Sequence, residues 1–155
     1  PSVASRLDIL EAAMPDGVEL ARLDDAASRT LWAEIRDGRL LPATAPVLWR
    51  LSVTPTAAAG IVTGLAALAP EIVADWAGGL LWVALPRALG EDAAVVRGAL
   101  AGQGHATLIR APEALRRAVP PFEPLPDAHA ALARRVKESF DPKRVLNRGR
   151  MYEGL

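Results

Sequence analysis

The sequence predicts an α+β fold: a four-stranded antiparallel sheet with both of its helices on one face. Three observations predict it. From residue 46 to 110 the apolar pattern runs strand, helix, strand, strand, helix, strand. "AGG" at 77–79 separates two apolar runs as a hairpin turn does. Pro70 and "GQG" at 102–104 end the two helical stretches just before a strand must begin. This order is the split βαβ, or ferredoxin-like, plan, in which the first and last strands are neighbours.

Each element has its own signal. Val3, Leu7, Leu10 and Met14 recur at helical spacing until "PDG" at 15–17, and "VELARL" at 18–23 reads as a short strand. Asp24 and Asp25 offer an N-cap to a helix with Ala27, Leu31 and Ile35 in line, and Gly38 stands where a C-terminal glycine belongs. In "PVLWRLSVT" (46–54), Trp49, Leu51 and Val53 alternate with Arg50, Ser52 and Thr54, the pattern of a half-buried strand. Ala57, Ile61, Leu65 and Leu68 mark the next helix, and "IVADW" and "LLWVAL" form the hairpin. A helix over 91–101 turns Ala93, Val96 and Leu100 inward, and "HATLIR" (105–110) is the last strand. A short helix at 112–118 leads to "PPFEPLP", whose prolines bar helix. A final helix from Asp127 is expected to carry Leu132, Val136 and Phe140 inward.

The chain therefore divides into an N-terminal helix–strand–helix segment (1–45), a ferredoxin-like core (46–111), and C-terminal helices with a tail (112–155). Its 155 residues suit one domain with a real core. From the start, a proline followed at once by a helix, a piece of a longer protein is expected, with the first segment a remnant of the upstream half of the same region. Eighteen basic residues balance eighteen acidic ones, which argues against a general role on nucleic acid or a membrane surface. The absence of cysteine excludes disulfides and thiolate metal sites, and His105 and His129, the only imidazoles, have no carboxylate cluster at ligand spacing. No apolar stretch is long enough to span a bilayer, so a soluble, cytoplasmic protein is expected.

The ending "FDPKRVLNRGRM" (140–151) resembles the C-terminal signature of the flavin-linked oxidases of the vanillyl-alcohol-oxidase type, F-D-P-x-x-x-L-N-P-G. Phe140, Asp141, Pro142, Leu146, Asn147 and Gly149 match, and Arg148 replaces a proline. With "LWRLSVTPT", "DWAGGLLWV" and "GHATLIRAP", most of the chain from Pro46 to Tyr152 looks like the FAD-binding (E) subunits of glycolate oxidases. The resemblance implies a cap that closes over a flavin held by a separate N-terminal domain. No glycine-rich loop opens a helix here, so this stretch alone is expected to hold no FAD. It further implies oxidation of glycolate, or another 2-hydroxy acid, to glyoxylate, and partners in a second flavoprotein and an iron–sulfur subunit. Membrane association would come only through that complex. In this reading the tail straps the cap to the flavin domain, with Asn147, Gly149 and Arg150 on the cofactor side.

Alternation puts Arg50 and Ser52 on the sheet face opposite Trp49, and His105 and Thr107 on the face opposite Ala106 and Leu108. In a cap that face looks onto the flavin. Arg50, Ser52 and Thr107 are then the candidate substrate-binding residues, and Arg50 and His105 the candidate catalytic pair. A guanidinium matches a planar carboxylate with two parallel hydrogen bonds, and an imidazole can accept the hydroxyl proton. In a free-standing domain the same residues are an ordinary solvated face, and the chain is a non-catalytic ferredoxin-like regulatory or protein-binding module. Trp49, Trp76 and Trp82 are expected to pack in the core or an interface. Residues 134–150 carry seven basic and two acidic side chains, a solvated helix face or a docking surface.

Overall fold

In the computed structural model, which describes residues 2–152, the alternating run becomes strand β1 (Val47–Val53), with every second residue buried. Its neighbours are β3 (Leu80–Leu85) on one side and β4 (Gly104–Arg110) on the other, with β2 (Glu71–Asp75) outside β3. All three pairings are antiparallel. The order β2-β3-β1-β4 makes the first and last strands neighbours, as the ferredoxin-like plan requires.

Helices α3 (Ala58–Leu65) and α4 (Asp92–Ala99) supply the rest of the core. Ile61, Leu65, Leu68, Val96 and Leu100 form one buried cluster with Trp49, Leu51, Val53, Leu81, Val83, Ala106 and Leu108. Trp49 and Leu51 are completely enclosed, so truncating Trp49 to alanine removes about 3–5 kcal/mol. β4 can lie this close to β1 only because it begins with glycine. A Cβ on Gly104, whose φ is +151°, would stand 2.2 Å from the Ser52 carbonyl oxygen and 2.8 Å from the Val53 Cα. The hairpin between β2 and β3 is tighter than a glycine turn alone. Trp76 and Ala77 both take left-handed φ values, 52° and 53°, ahead of Gly78 at 91°.

The proline-rich run does structural work in this arrangement. It follows α5 (Glu113–Ala118) and lies along the outer edge of β4, where the Leu108 N–H donates to the Pro121 carbonyl at 2.8 Å. The Ala106 N–H donates to Glu123 Oε1 at 3.0 Å. Arg97 on α4 clamps the run by donating to the carbonyls of Pro120 (2.5 Å) and Phe122 (3.2 Å). Its guanidinium also lies 5.5 Å from the Trp49 ring centre, and burial pushes its pKa down against the pull of Glu123. An edge strand that would otherwise present free N–H groups is thereby closed.

Contacts divide the chain after Asp37 into two units. In the first, α1 (Val3–Ala12) and α2 (Asp25–Arg36) are capped by Ser2 and Asp24, whose side chains accept from the Ser5 and Ala27 N–H groups. The strand expected at 18–23 does not form. A strand needs a ladder partner, and the described residues of this unit form no second strand. The stretch is instead held by Arg22, which donates to Glu11 and Asp8 at 2.5–2.7 Å.

The final helix, α6 (Asp127–Phe140), corrects a second expectation. Leu132, Val136 and Phe140 are not inward: they are 56%, 50% and 84% exposed. Periodicity places them on one face, but among the described residues of its own unit no element buries that face.

Candidate functional site

Two places collect the residues singled out from the sequence. The first is the sheet face away from α3 and α4. Arg50 sits on β1 opposite Trp82 of β3 and Thr107 of β4, and Ser52 sits opposite Leu80 and His105. Arg50, Ser52, Trp82 and Thr107 are half-buried, and His105 is exposed. The register thus pairs Arg50 with Thr107 and Ser52 with His105, making Arg50 and His105 diagonal neighbours, roughly 7–8 Å apart at Cβ by the ordinary geometry of an antiparallel pair.

The guanidinium of Arg50 does not point straight at His105. It lies 5.7 Å from the ring centre of Trp76, across β3, while His105 lies on the other side of β1. Ser52 stands between them. No carboxylate among the described residues pairs with Arg50, so its fork of donors remains available to a planar anion. Trp76 departs from the packing expected of it: the ring is 62% exposed, held at the hairpin by its left-handed backbone and by the Asp75 carboxylate, which accepts from the Trp76 N–H at 2.7 Å. Sequence reasoning missed this partnership, because which way a turn residue projects depends on turn geometry that alternation does not encode.

The second place is the tail. Pro142 cannot continue α6. Asp141, the residue before it, folds the chain back: Oδ1 accepts from the Val145 N–H at 3.0 Å, and Oδ2 from the Leu146 N–H at 2.9 Å and from Lys137 Nζ at 2.7 Å. Lys137 also donates to the Leu146 carbonyl at 2.6 Å. The Asp141 carboxyl is 5% exposed and is held down to about 2, first by Lys137 and then by the Leu146 N–H. Asn147 and Gly149 take left-handed φ values of 47° and 64°, a conformation glycine and asparagine tolerate best. Most of the signature therefore shapes its own turn. Asp141 is the hub the sequence reading passed over, although an aspartate ending a helix before proline is a known turn former.

The turn brings Asn147 and Arg150 against the uncovered face of α6. They line a groove of about 680 Å³ with Leu132, Val136, Phe140 and Tyr152. Gly149 lies in the same turn without lining it. Tyr152 is fixed at the far end by Phe122, with ring centres 5.9 Å apart. Among the described residues no cluster of three or more metal-ligating side chains occurs, and no helix is long and apolar enough to cross a membrane.

With fold and sites in view, one likeness stands out. The chain is similar to the glycolate oxidase subunit GlcE of Escherichia coli (strain K12). The two are 30% identical over 154 residues, 97% of this chain and 39% of the relative's length. No family model and no solved structure matches the chain.

Proposed function

We propose that this chain is the substrate-side cap of an FAD-linked oxidoreductase that converts glycolate, or a close 2-hydroxy acid, to glyoxylate. The observation that carries the reading is the GlcE likeness running through nearly the whole chain, sheet face and tail included. The residues fit one side of a flavin only. The sheet face offers Trp76, Trp82 and an uncommitted Arg50, an aromatic surface with one cation. No described strand runs through a glycine-rich turn into a helix, so a pyrophosphate would be held elsewhere, on an N-terminal FAD domain of the parent protein.

FAD, when bound by the parent, supplies the hydride acceptor. The chain's own residues do the rest. Arg50 grips the substrate carboxylate with parallel N–H donors over Ser52. Ser52 and Thr107 hydroxyls fix its orientation. An imidazole nitrogen of His105 takes the hydroxyl proton as the C–H bond is broken. Asn147, Gly149 and Arg150 face the cofactor domain from the tail, and other subunits of the complex, a second flavoprotein and an iron–sulfur protein, take the electrons onward.

The parent expressed with the coding region upstream of Pro1 should purify with FAD, and anaerobic glycolate should bleach that flavin. A parent without flavin, or with flavin indifferent to glycolate and lactate alike, removes the reading.

A further inference from the structure

Trp76 holds a backbone conformation that glycine would take without strain. Its φ is 52°, in the left-handed region that bulky side chains avoid, and Ala77 follows at 53°. Such strain persists only where the surroundings enforce it, and it gathers at functional sites. Here several contacts enforce it. The Asp75 carboxylate accepts from the Trp76 N–H at 2.7 Å, and the Gly79 N–H donates to the Trp76 carbonyl at 3.0 Å. The Val53 N–H donates to the Gly79 carbonyl at 3.0 Å, which ties the turn to the end of β1, the strand that carries Arg50. A Cβ on Gly78 would lie 3.2 Å from the Ala58 Cβ and 3.3 Å from the Pro55 carbonyl oxygen, so the hairpin is also seated against the approach to α3. Yet the ring that these contacts aim is 62% exposed and lies outside the core.

What the ring meets is Arg50, whose Cζ lies over it at 5.7 Å from the ring centre. An aromatic ring attracts a cation through its face, whereas the N–H donors of a guanidinium lie in the guanidinium's own plane. A ring can therefore hold Arg50 and leave its fork of donors free. A carboxylate in the same place would hold it by consuming that fork. We infer that Trp76 is the positioning residue of the candidate substrate site: it sets the Arg50 guanidinium ready for a planar carboxylate. Trp76 acts on how tightly the carboxylate is held and takes no part in moving the proton or the hydride. The inference rests on the reading of this sheet face as the substrate side of the parent oxidase.

The test uses the full-length parent, comparing wild type with Trp76→Gly and Trp76→Phe. Each is measured twice, by glycolate kinetics and by calorimetric binding of oxamate, a planar carboxylate with no C–H bond to oxidise. Trp76→Gly should raise both the KM for glycolate and the Kd for oxamate roughly three- to tenfold, with kcat little changed. It should melt at or above the wild-type temperature, because the strain is gone. Trp76→Phe keeps a ring and should recover most of the affinity. In an Arg50→Ala background, Trp76→Gly should lower kcat/KM no further, since the ring acts through Arg50. Wild-type KM and Kd in Trp76→Gly overturn the inference. So does an equal fall with and without Arg50, which would mean that the ring touches substrate itself. A wild-type parent that leaves glycolate unoxidised removes the oxidase reading, and oxamate then decides the role of Trp76 by itself. A Kd raised by Trp76→Gly upholds that role, and wild-type protein that binds no oxamate overturns it.

Discussion

Among the described glycines Gly104 meets the sharpest steric limit, since any Cβ there collides with backbone rather than with a side chain that could move. Gly104→Ala should destabilise the domain by about 3 kcal/mol, measured by urea denaturation, and an unchanged midpoint would contradict the close β1–β4 approach. Asp141 makes a different kind of demand. Its carboxyl ordinarily titrates near 3.8 and is held to about 2 in the folded tail. A carboxyl depressed by folding stabilises fully above its unfolded pKa and loses that contribution as pH falls through its folded one. The tail should thus be fully ordered above about pH 4 and loosen toward pH 2, with faster hydrogen exchange at Val145 and Leu146. Asp141→Asn should show the fast exchange already at neutral pH. Equal protection in both proteins would mean that the turn holds without the carboxylate.

At the scale of elements, β4 depends on a segment with no regular structure. Glu123→Ala leaves the half-covered Ala106 N–H without its acceptor and should cost about 1 kcal/mol, with raised exchange at Ala106 only. The sheet and its two helices were legible in the sequence because a single period decides each one: Trp49, Leu51 and Val53 alternate, and Ile61, Leu65 and Leu68 recur by turns. Two readings failed for a common reason. The short run read as a strand at 18–23 could not reveal that no partner strand is present among the described residues of its unit. The spacing of Leu132, Val136 and Phe140 specified an apolar face but not what covers it. A period reports which residues share a side, whereas a ladder or a buried face needs a second element, and that information lies elsewhere in the chain or outside it. The candidate site was half legible on the same terms. The shared face of Arg50, Ser52, His105 and Thr107 follows from alternation, but the stacking of Arg50 on Trp76 follows from two left-handed turn residues.

For the whole molecule, the proposed reading divides the tasks of an oxidase: this chain offers an aromatic sheet face with one cation, and among the described residues no glycine-rich turn opens a helix. Titrating the isolated 155-residue chain with FAD should leave its melting temperature unchanged, and stoichiometric binding would show that the cofactor is held here. The claim that matters most is that the sheet face meets the substrate. It is tested by kcat/KM for glycolate in the assembled full-length complex, with wild type compared to Arg50→Lys and His105→Gln. Arg50→Lys keeps the charge and removes the fork, and losing a charged hydrogen bond should cost on the order of 1.5–3 kcal/mol in transition-state binding, roughly ten- to a hundredfold in kcat/KM. The account predicts that loss for Arg50→Lys and a fall mainly in kcat for His105→Gln, with flavin content and assembly unchanged. Wild-type efficiency in both variants would contradict it and place the chemistry on another subunit.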